Sequence, residues 1–392
     1  MAIKKEIIIL GSTGSIGKST VEIIKKNPSN FNVLLLVSNK NYKLLYKQAV
    51  QLKSKYIYIN DKSKSILLNK LIKNKKIKLL KNFNEINKIF KKKIDITMSS
   101  ISGLDGLYYN LLIIKYTKKI LLANKESIIC GWNLIKKELK KNKTIYSPVD
   151  SEHFAISELM KNTDVTLLKN INITASGGPF LNLKINDLKK VTISQALNHP
   201  KWKMGKKISI DSATLMNKVF EVMESYRLFS FSKDKIKILI HPQSCVHAIV
   251  NLKNGVSKAL MHNTDMKIPI LSSMDIDLKN LNRYNSSTNF QIDKINKLSF
   301  FNVDAKRFPS VKILKKVSFD CKLFDTVIIS ANDELVDLFL KKKIKFVDII
   351  KKLNMITSLK QFDHYRYISP QNYEQIYSLS KYVRLKTRSL CI

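Results

Sequence analysis

The apolar run Ile7-Ile-Ile-Leu10 leads directly into Gly11-Ser-Thr-Gly14-Ser-Ile-Gly17, and a helical pattern over Ser15–Lys26 follows. A buried strand, a glycine turn and a helix in that order open a βαβ unit, which restricts the fold more than any other feature of the chain. Glycines permit the tight turn and let backbone approach a pyrophosphate. The helix N-terminus adds free N–H groups and the positive end of its dipole. The spacing is GxxGxxG rather than GxGxxG, so on this segment alone a glycine turn without a ligand stays open. The next apolar run ends in Val37-Ser-Asn-Lys40-Asn41, with no acid. An acid there would bond a ribose 2′-hydroxyl. Ser38, Asn39 and Lys40 suit a 2′-phosphate instead, which favours NADPH, unless Lys40 is one more surface lysine.

The alternation continues to residue 149. Strands are expected at Ile7–Leu10, Val33–Val37, Tyr56–Ile59, Ile94–Met98 and Ile120–Leu122, with helices at Ser15–Lys26, Asn41–Leu52 and Leu107–Tyr116. That pattern gives a doubly wound parallel sheet of Rossmann-like type, in the α/β class. Over residues 150–275, strands such as Asn172–Thr174 and Ile236–Ile240 mix with Gly-, Ser- and His-bearing loops, which reads as an α+β domain. Residues 276–300 are polar and weakly patterned, as in a linker. Over residues 301–392, Val311, Leu314, Val317, Leu335, Leu338 and Phe339 keep helical spacing, and a terminal helical bundle is expected.

The net charge of +40 raises the question of a nucleic-acid or membrane-surface partner. Only six of the 70 basic residues are arginine, and the lysines are spread along ordinary helix faces. A solvated, lysine-rich surface explains this better than a recognition patch, so neither nucleic acid nor membrane is expected as a partner. No apolar run is long enough to span a bilayer. The four cysteines (Cys130, Cys245, Cys321, Cys391) form no CxxC pair, and the N-terminal apolar run is too short for a signal peptide. A cytoplasmic location is expected.

Polar clusters follow several of the strands. Ala123-Asn124-Lys125-Glu126-Ser127 lies past Ile120–Leu122, on the ligand-binding edge of such a sheet. Pro148-Val-Asp150-Ser151-Glu152-His153 places two carboxylates at i and i+2 on an expected loop, where both can turn toward one hard cation, or can mark a polar boundary with a helix cap. Ser176-Gly-Gly-Pro179 is a turn suited to a phosphate. His199-Pro-Lys-Trp202-Lys-Met204-Gly205 reads equally as a flap or as a buried anchor. Asp211 to Glu221 is the densest cluster: Asn217 and Glu221 share a helix face, and Glu221 suits completing a metal's carboxylate set while Ser212, Asn217 and Lys218 suit an anion, although each residue taken singly reads equally well as structural. His241 and His247 have no acid partner nearby in sequence and read as structural.

Taken together, GSTGSIG (Gly11–Gly17), LLANKES (Leu121–Ser127), PVDSEH (Pro148–His153), SGGP (Ser176–Pro179), KISIDSATLMNK (Lys207–Lys218) and HPQS (His241–Ser244) occur in an order that resembles the 1-deoxy-D-xylulose-5-phosphate reductoisomerase family. The likeness continues through Thr264–Pro269 and Arg307–Pro309 to Ala331-Asn-Asp-Glu334. It implies an enzyme that uses NADPH and Mg²⁺ or Mn²⁺. Such an enzyme rearranges 1-deoxy-D-xylulose 5-phosphate and reduces it to 2-C-methyl-D-erythritol 4-phosphate, for isoprenoid synthesis by the methylerythritol phosphate pathway. It further implies a homodimer with a cofactor domain, a central catalytic and dimerisation domain, and a helical domain. By the same resemblance Asp150, Glu152 and Glu221 would hold the metal. The substrate phosphate would lie among Ser176, Ser212, Asn217 and Lys218. Ser151, Lys125, Glu152 and His199 would surround the carbon skeleton, with Lys125, Glu152 and His199 catalytic and Trp202 and Met204 on a flap. Thr13, Gly14, Ser15, Ile16, Asn39, Lys40, Asn41, Asn124, Glu126 and Gly205 would contact the cofactor.

The chain departs from the family pattern at Val219 (usually Gly), at Lys201 and Lys203 in the flap, at Asn39 (usually Gly) and at Lys267 (usually Arg). Two other readings are weighed beside the resemblance. A metal-independent NADP dehydrogenase of the semialdehyde or homoserine type leaves the three acids unexplained. A basic nucleic-acid binder rests on net charge alone.

Overall fold

The computed structural model describes residues 4–73, 76–202, 204–275 and 292–391. The chain opens with β1 (Lys5–Leu10), α1 (Ser15–Lys26), β2 (Phe31–Ser38), α2 (Tyr42–Leu52), β3 (Tyr56–Ile59) and α3 (Lys62–Leu71). Then come β4 (Lys78–Leu79), α4 (Ile86–Ile89), β5 (Ile94–Ser99), α5 (Asp105–Ile113), β6 (Thr117–Leu122), α6 (Lys125–Lys141), β7 (Ile145–Pro148) and α7 (Ser151–Met160). The middle of the chain supplies β8 (Leu168–Ala175), α8 (Ile193–Leu197), α9 (Lys206–Ala213), α10 (Met216–Phe229), β9 (Ile236–Ile240), β10 (Val246–Leu252), β11 (Ser257–Met261) and α11 (Lys267–Ser273). After β12 (Phe301–Asn302) the elements are helical: α12 (Leu323–Leu340), α13 (Phe346–Ile356) and α14 (Tyr373–Cys391).

The chain divides into two compact units. The first holds residues 4–127, 134–154 and 266–275. Its seven strands run parallel in the order β4-β3-β2-β1-β5-β6-β7. Ile7, Ile8, Ile9 and Leu10 are fully buried, because helices cover both faces of a parallel sheet and leave β1 no polar side. On α1, Gly17, Thr20, Val21 and Ile24 recur at helical spacing and face the sheet. The strand order reverses on either side of β1, so the crevice between β1 and β5 is the topological switch point where such sheets bind ligands.

The second unit holds residues 128–133, 155–265 and 292–391. Its sheet runs β11-β10-β8-β9-β12, with β8 and β9 parallel and the other pairs antiparallel. The core joins Ile156, Ile171, Ile173, Val222, Tyr226, Ala248 and Val250. Helix α12 is buried on nearly every side and packs on both α13 and α14, forming the terminal helical bundle. Residues 276–291 of the expected linker lie outside the described residues; 292–297 form a 3-10 turn. Among the described residues, no helix is long and apolar enough to cross a membrane.

Candidate active site

In the first unit the glycine turn is built by close approach. Gly11 has φ +85°, and a Cβ on it would stand 2.6 Å from the Ser100 carbonyl oxygen. A Cβ on Gly17 would stand 2.2 Å from the Gly11 carbonyl oxygen. Any side chain at either position would open the turn. Gly14 caps α1, and Ser15 and Ile16 begin it. Thr13 and Ser38 share a hydroxyl hydrogen bond of 2.7 Å, which ties the turn to the end of β2. Asn39, Lys40 and Asn41 are exposed there, and Asn41 accepts a hydrogen bond from the Leu44 amide to cap α2. Asp61, past β3, was not singled out from sequence. Its backbone N–H donates to the Asn39 carbonyl, and its carboxyl is held below the usual range by Ser63 and Lys64, with Lys40 adding to the effect. No local pattern reveals an acid 21 positions beyond Lys40 as its neighbour.

Strands β6 and β7 lie side by side, with Leu122 opposite Pro148, so the helices that follow both start on the same sheet edge. The Asn124 side chain caps α6 by accepting from the Ser127 amide at 2.9 Å, and it also donates to Glu126. Lys125 pairs with Asp150 at 2.7 Å, with both side chains largely out of water. Ser151 donates to Glu152 at 2.6 Å. Glu152 is in the first turn of α7 and not on a loop as its sequence context suggested. An acid in a first turn is favoured by the helix dipole.

In the second unit, Gly177 and Gly178 take positive φ after β8. A Cβ on Gly178 would lie 2.9 Å from the Ser212 carbonyl oxygen, so the missing side chain lets the Ser176 turn sit against Ser212 on α9. His199 Nδ1 accepts backbone N–H groups from Lys201 at 3.2 Å and Trp202 at 2.9 Å. Its proton is therefore on Nε2, which donates to Ser176 Oγ at 2.9 Å. The Gly178 amide donates to the same oxygen at 3.1 Å. With two donors aimed at it, the Ser176 hydroxyl must send its own proton elsewhere.

Burial pushes the His199 pKa down from 6.5 to about 4. As pH falls, the unfolded chain takes this proton first. His199 therefore contributes stability that is complete above pH 6.5 and is lost between there and about 4. We expect wild-type stability to fall more steeply through that window than that of His199→Gln, in denaturant melts at stepped pH. Parallel curves would mean that burial does not hold the His199 pKa down.

Leu215 has φ +62°, an uncommon left-handed conformation for leucine, at the corner where α9 ends and α10 starts. Helix α10 is buried on nearly all sides and so must pair its charges internally. Asn217 donates to Glu221 Oε1 at 2.5 Å and Lys218 pairs with Oε2. Arg227 pairs with Asp325 of α12 at 2.6 Å. Val219, the departure within this motif, is buried in the same helix. Trp202 is half-buried and meets the His247 ring edge-on at 6.2 Å. Gly205 caps α9. Lys203, in the flap segment, lies outside the described residues. The His241 ring bonds the Ser299 carbonyl and the Cys245 and Val246 amides, a structural setting. Lys267 pairs with Glu22 in the first unit.

Three family profiles match the chain. One described as 1-deoxy-D-xylulose 5-phosphate reductoisomerase covers residues 7–131, its C-terminal domain covers 146–229, and a further DXP reductoisomerase C-terminal domain covers 261–386. The chain is 48% identical to the 1-deoxy-D-xylulose 5-phosphate reductoisomerase of Pelagibacter ubique, over 99% of this chain and all of that one. It is 36% identical to the same enzyme of a Sulfurihydrogenibium species, over 97% of this chain and 96% of that one. The Zymomonas mobilis enzyme solved with NADPH superimposes with a TM-score of 0.85 at 30% identity, covering 100% of this chain and 99% of that one. A DOX-P reductoisomerase solved with NADPH, fosmidomycin and magnesium gives 0.89 at 28% identity, covering 98% of each chain.

Proposed function

The chain belongs to the 1-deoxy-D-xylulose 5-phosphate reductoisomerase family, and from that membership we propose how its own residues divide the work. The reaction is the NADPH-dependent conversion of 1-deoxy-D-xylulose 5-phosphate to 2-C-methyl-D-erythritol 4-phosphate. Membership displaces the metal-independent dehydrogenase reading. In our assignment Ser176, Ser212, Asn217 and Lys218 hold the substrate phosphate. The observation that carries it is the Ser176 hydroxyl, whose oxygen already receives His199 and Gly178 and whose proton suits an anionic oxygen. Lys125, Ser151, Glu152 and His199 surround the carbon skeleton. Lys125 supplies an ammonium to developing oxygen charge, and neutral His199 fixes Ser176 and donates no net charge.

Asp150, Glu152 and Glu221 are assigned to the divalent cation. They offer only carboxylate oxygens, the donors that Mg²⁺ or Mn²⁺ takes, so the donor set fits. Held by these residues, the cation would supply Lewis-acid stabilisation of oxygen charge on the substrate, and bound NADPH would supply the hydride. Thr13, Gly14, Ser15 and Ile16 are assigned to the cofactor pyrophosphate, and Asn39, Lys40 and Asn41 to its 2′-phosphate. Asn124, Glu126 and Gly205 complete the cofactor set, and Trp202 and Met204 cover the substrate. The functional division we propose is 1–149 for cofactor, 150–275 for metal, substrate and dimerisation, 276–300 as linker and 301–392 as helical support. A homodimer is part of the proposal, supported by the place of β11 as an end strand of its sheet. A reducing cytoplasm is proposed as the compartment, in keeping with a sequence that holds no CxxC pair.

The test is NADPH oxidation, followed by absorbance, with 1-deoxy-D-xylulose 5-phosphate as substrate. Oxidation is expected with Mg²⁺, is abolished by a chelator and returns with added Mg²⁺. The same preparation should scatter light as twice the 45.2-kDa chain. Oxidation indifferent to chelation would remove the metal assignment.

A further inference from the structure

Behind Ser212, on the side of α9 that faces the helical bundle, lies a chain of alternating charges to which the assigned reaction gives no role. Asp211, the residue before Ser212, is 1% exposed. Its Oδ1 accepts a hydrogen bond from Asn332 Nδ2 of α12 at 2.8 Å, and Asn332 is fully buried. Its Oδ2 pairs with Lys207 at 2.8 Å, one turn earlier on α9. Lys207 also reaches Asp333 of α12 at 3.1 Å, and Asp333 pairs with Arg384 of α14 at 2.8 Å. Arg384 also stands 3.7 Å from Glu334, which pairs with Arg388 at 2.8 Å, so the alternation runs on along α14, and both carboxylate oxygens of Asp211 are engaged.

A buried carboxylate next to a phosphate site poses a physical problem. Left uncompensated, its charge would repel a phosphate across a poorly screening interior. Left unanchored, it would let α9 shift, and the Ser212 hydroxyl would lose its aim. The network answers both needs, since Lys207 cancels the charge and Asn332 pins the carboxylate to the bundle.

We propose that Asn332 and Lys207 are positioning residues for the substrate phosphate, acting through buried Asp211 to aim Ser212 and to cancel the negative charge behind it. This rests on the assignment of Ser212 to the phosphate. It gives the sequence motif Ala331–Glu334 a role in binding, exercised through Asp211 of α9.

The test compares Asn332→Ala, Lys207→Met, Lys207→Met/Asp211→Asn and Ser212→Ala with wild type. The readouts are KM for 1-deoxy-D-xylulose 5-phosphate, Ki for inorganic phosphate as a competitor, and KM for NADPH. Loss of one charge-assisted hydrogen bond corresponds to about a tenfold change in affinity. We expect Asn332→Ala and Lys207→Met each to raise KM and phosphate Ki together by about that factor, with KM for NADPH unchanged. The double variant should recover most of the loss of Lys207→Met, because it removes the charge that Lys207 cancels. A merely structural network would lower the active fraction and kcat and leave both phosphate readouts in place. That result in the folded variants, with Ser212→Ala still raising KM and Ki, overturns the proposal and leaves the phosphate assignment standing. If Ser212→Ala moves neither readout, the assignment fails and the proposal fails with it. Should Asn332→Ala not fold, the one-third exposed Lys207 decides the question with its double variant.

Discussion

Glu221→Gln is expected to lower kcat/KM by about a thousandfold or more and to raise the Mg²⁺ concentration needed for half-maximal rate. Glu221 is 1% exposed, and both its oxygens are engaged, one by Asn217 and one by Lys218. Glutamine keeps the shape but carries no charge. A cation that stabilises developing oxygen charge is worth several kcal/mol, and each 1.36 kcal/mol is a decade in rate, which sets the expected size. The substitution also takes the Glu221 charge away from the Lys218 ammonium, which is 4% exposed. Breaking a buried pair by removing one partner costs about 3–5 kcal/mol in stability. Lost activity alone would therefore not separate a metal ligand from half of an ion pair. Lys218→Met makes the separation, since it breaks the same pair from the other side. Only Glu221→Gln should raise the Mg²⁺ requirement, whereas Lys218→Met should act on KM for the phosphorylated substrate. Equal Mg²⁺ titrations for the two variants would take Glu221 out of the metal set.

The parts of this site visible in the sequence are those whose physics is local. The glycine turn was legible because strand, turn and helix follow one another directly between Lys5 and Lys26, and Gly11 and Gly17 each answer a steric demand of that turn. Tyr56–Ile59 and Ile236–Ile240 are strands at the expected bounds, being mostly apolar segments closed at both ends by polar residues, with Lys237 the one charged residue inside the second. Asn217 and Glu221 share a face because i and i+4 do so on any helix. Glu152 was misplaced because Pro148 and Asp150 read as loop punctuation, although Ser151 already starts α7. Helix α6 was not drawn from the pattern; Gly131 breaks its regularity with φ −131°. The pairings of Asp211 with Asn332 and of Arg227 with Asp325 join residues 121 and 98 positions apart. No periodicity encodes which buried charge meets which, because that depends on how whole helices pack. Fold class and residue types were therefore readable, while the arrangement that tunes them was not.

Lys125→Met is the second large effect, and the environment of Lys125 makes it informative beyond lost activity. The ammonium stands 2.7 Å from Asp150, and the two side chains are only 9% and 15% exposed. Under the proposed assignment, removing it takes a donor from the carbon-skeleton region, for which a loss of about 10²–10³ in kcat is usual when a group that stabilises oxygen charge is deleted. It also leaves the Asp150 carboxylate without its cation. Stability without metal should fall by a few kcal/mol, somewhat less than for a fully buried pair because water still reaches the edge of Asp150. If Asp150 belongs to the metal set, Mg²⁺ offers that carboxylate a replacement charge. Added Mg²⁺ should then raise the melting temperature of Lys125→Met more than that of wild type, although activity stays low. Lys125→Arg keeps a charge with different reach and should retain stability while losing most of the rate. These two readouts separate the roles of one side chain: the ion pair governs the metal-dependent melting shift, and the aimed ammonium governs kcat. A Lys125→Met protein whose melting point is no more responsive to Mg²⁺ than wild type would mean that the cation does not replace lysine at Asp150, and the proposed ligand set would then lose Asp150.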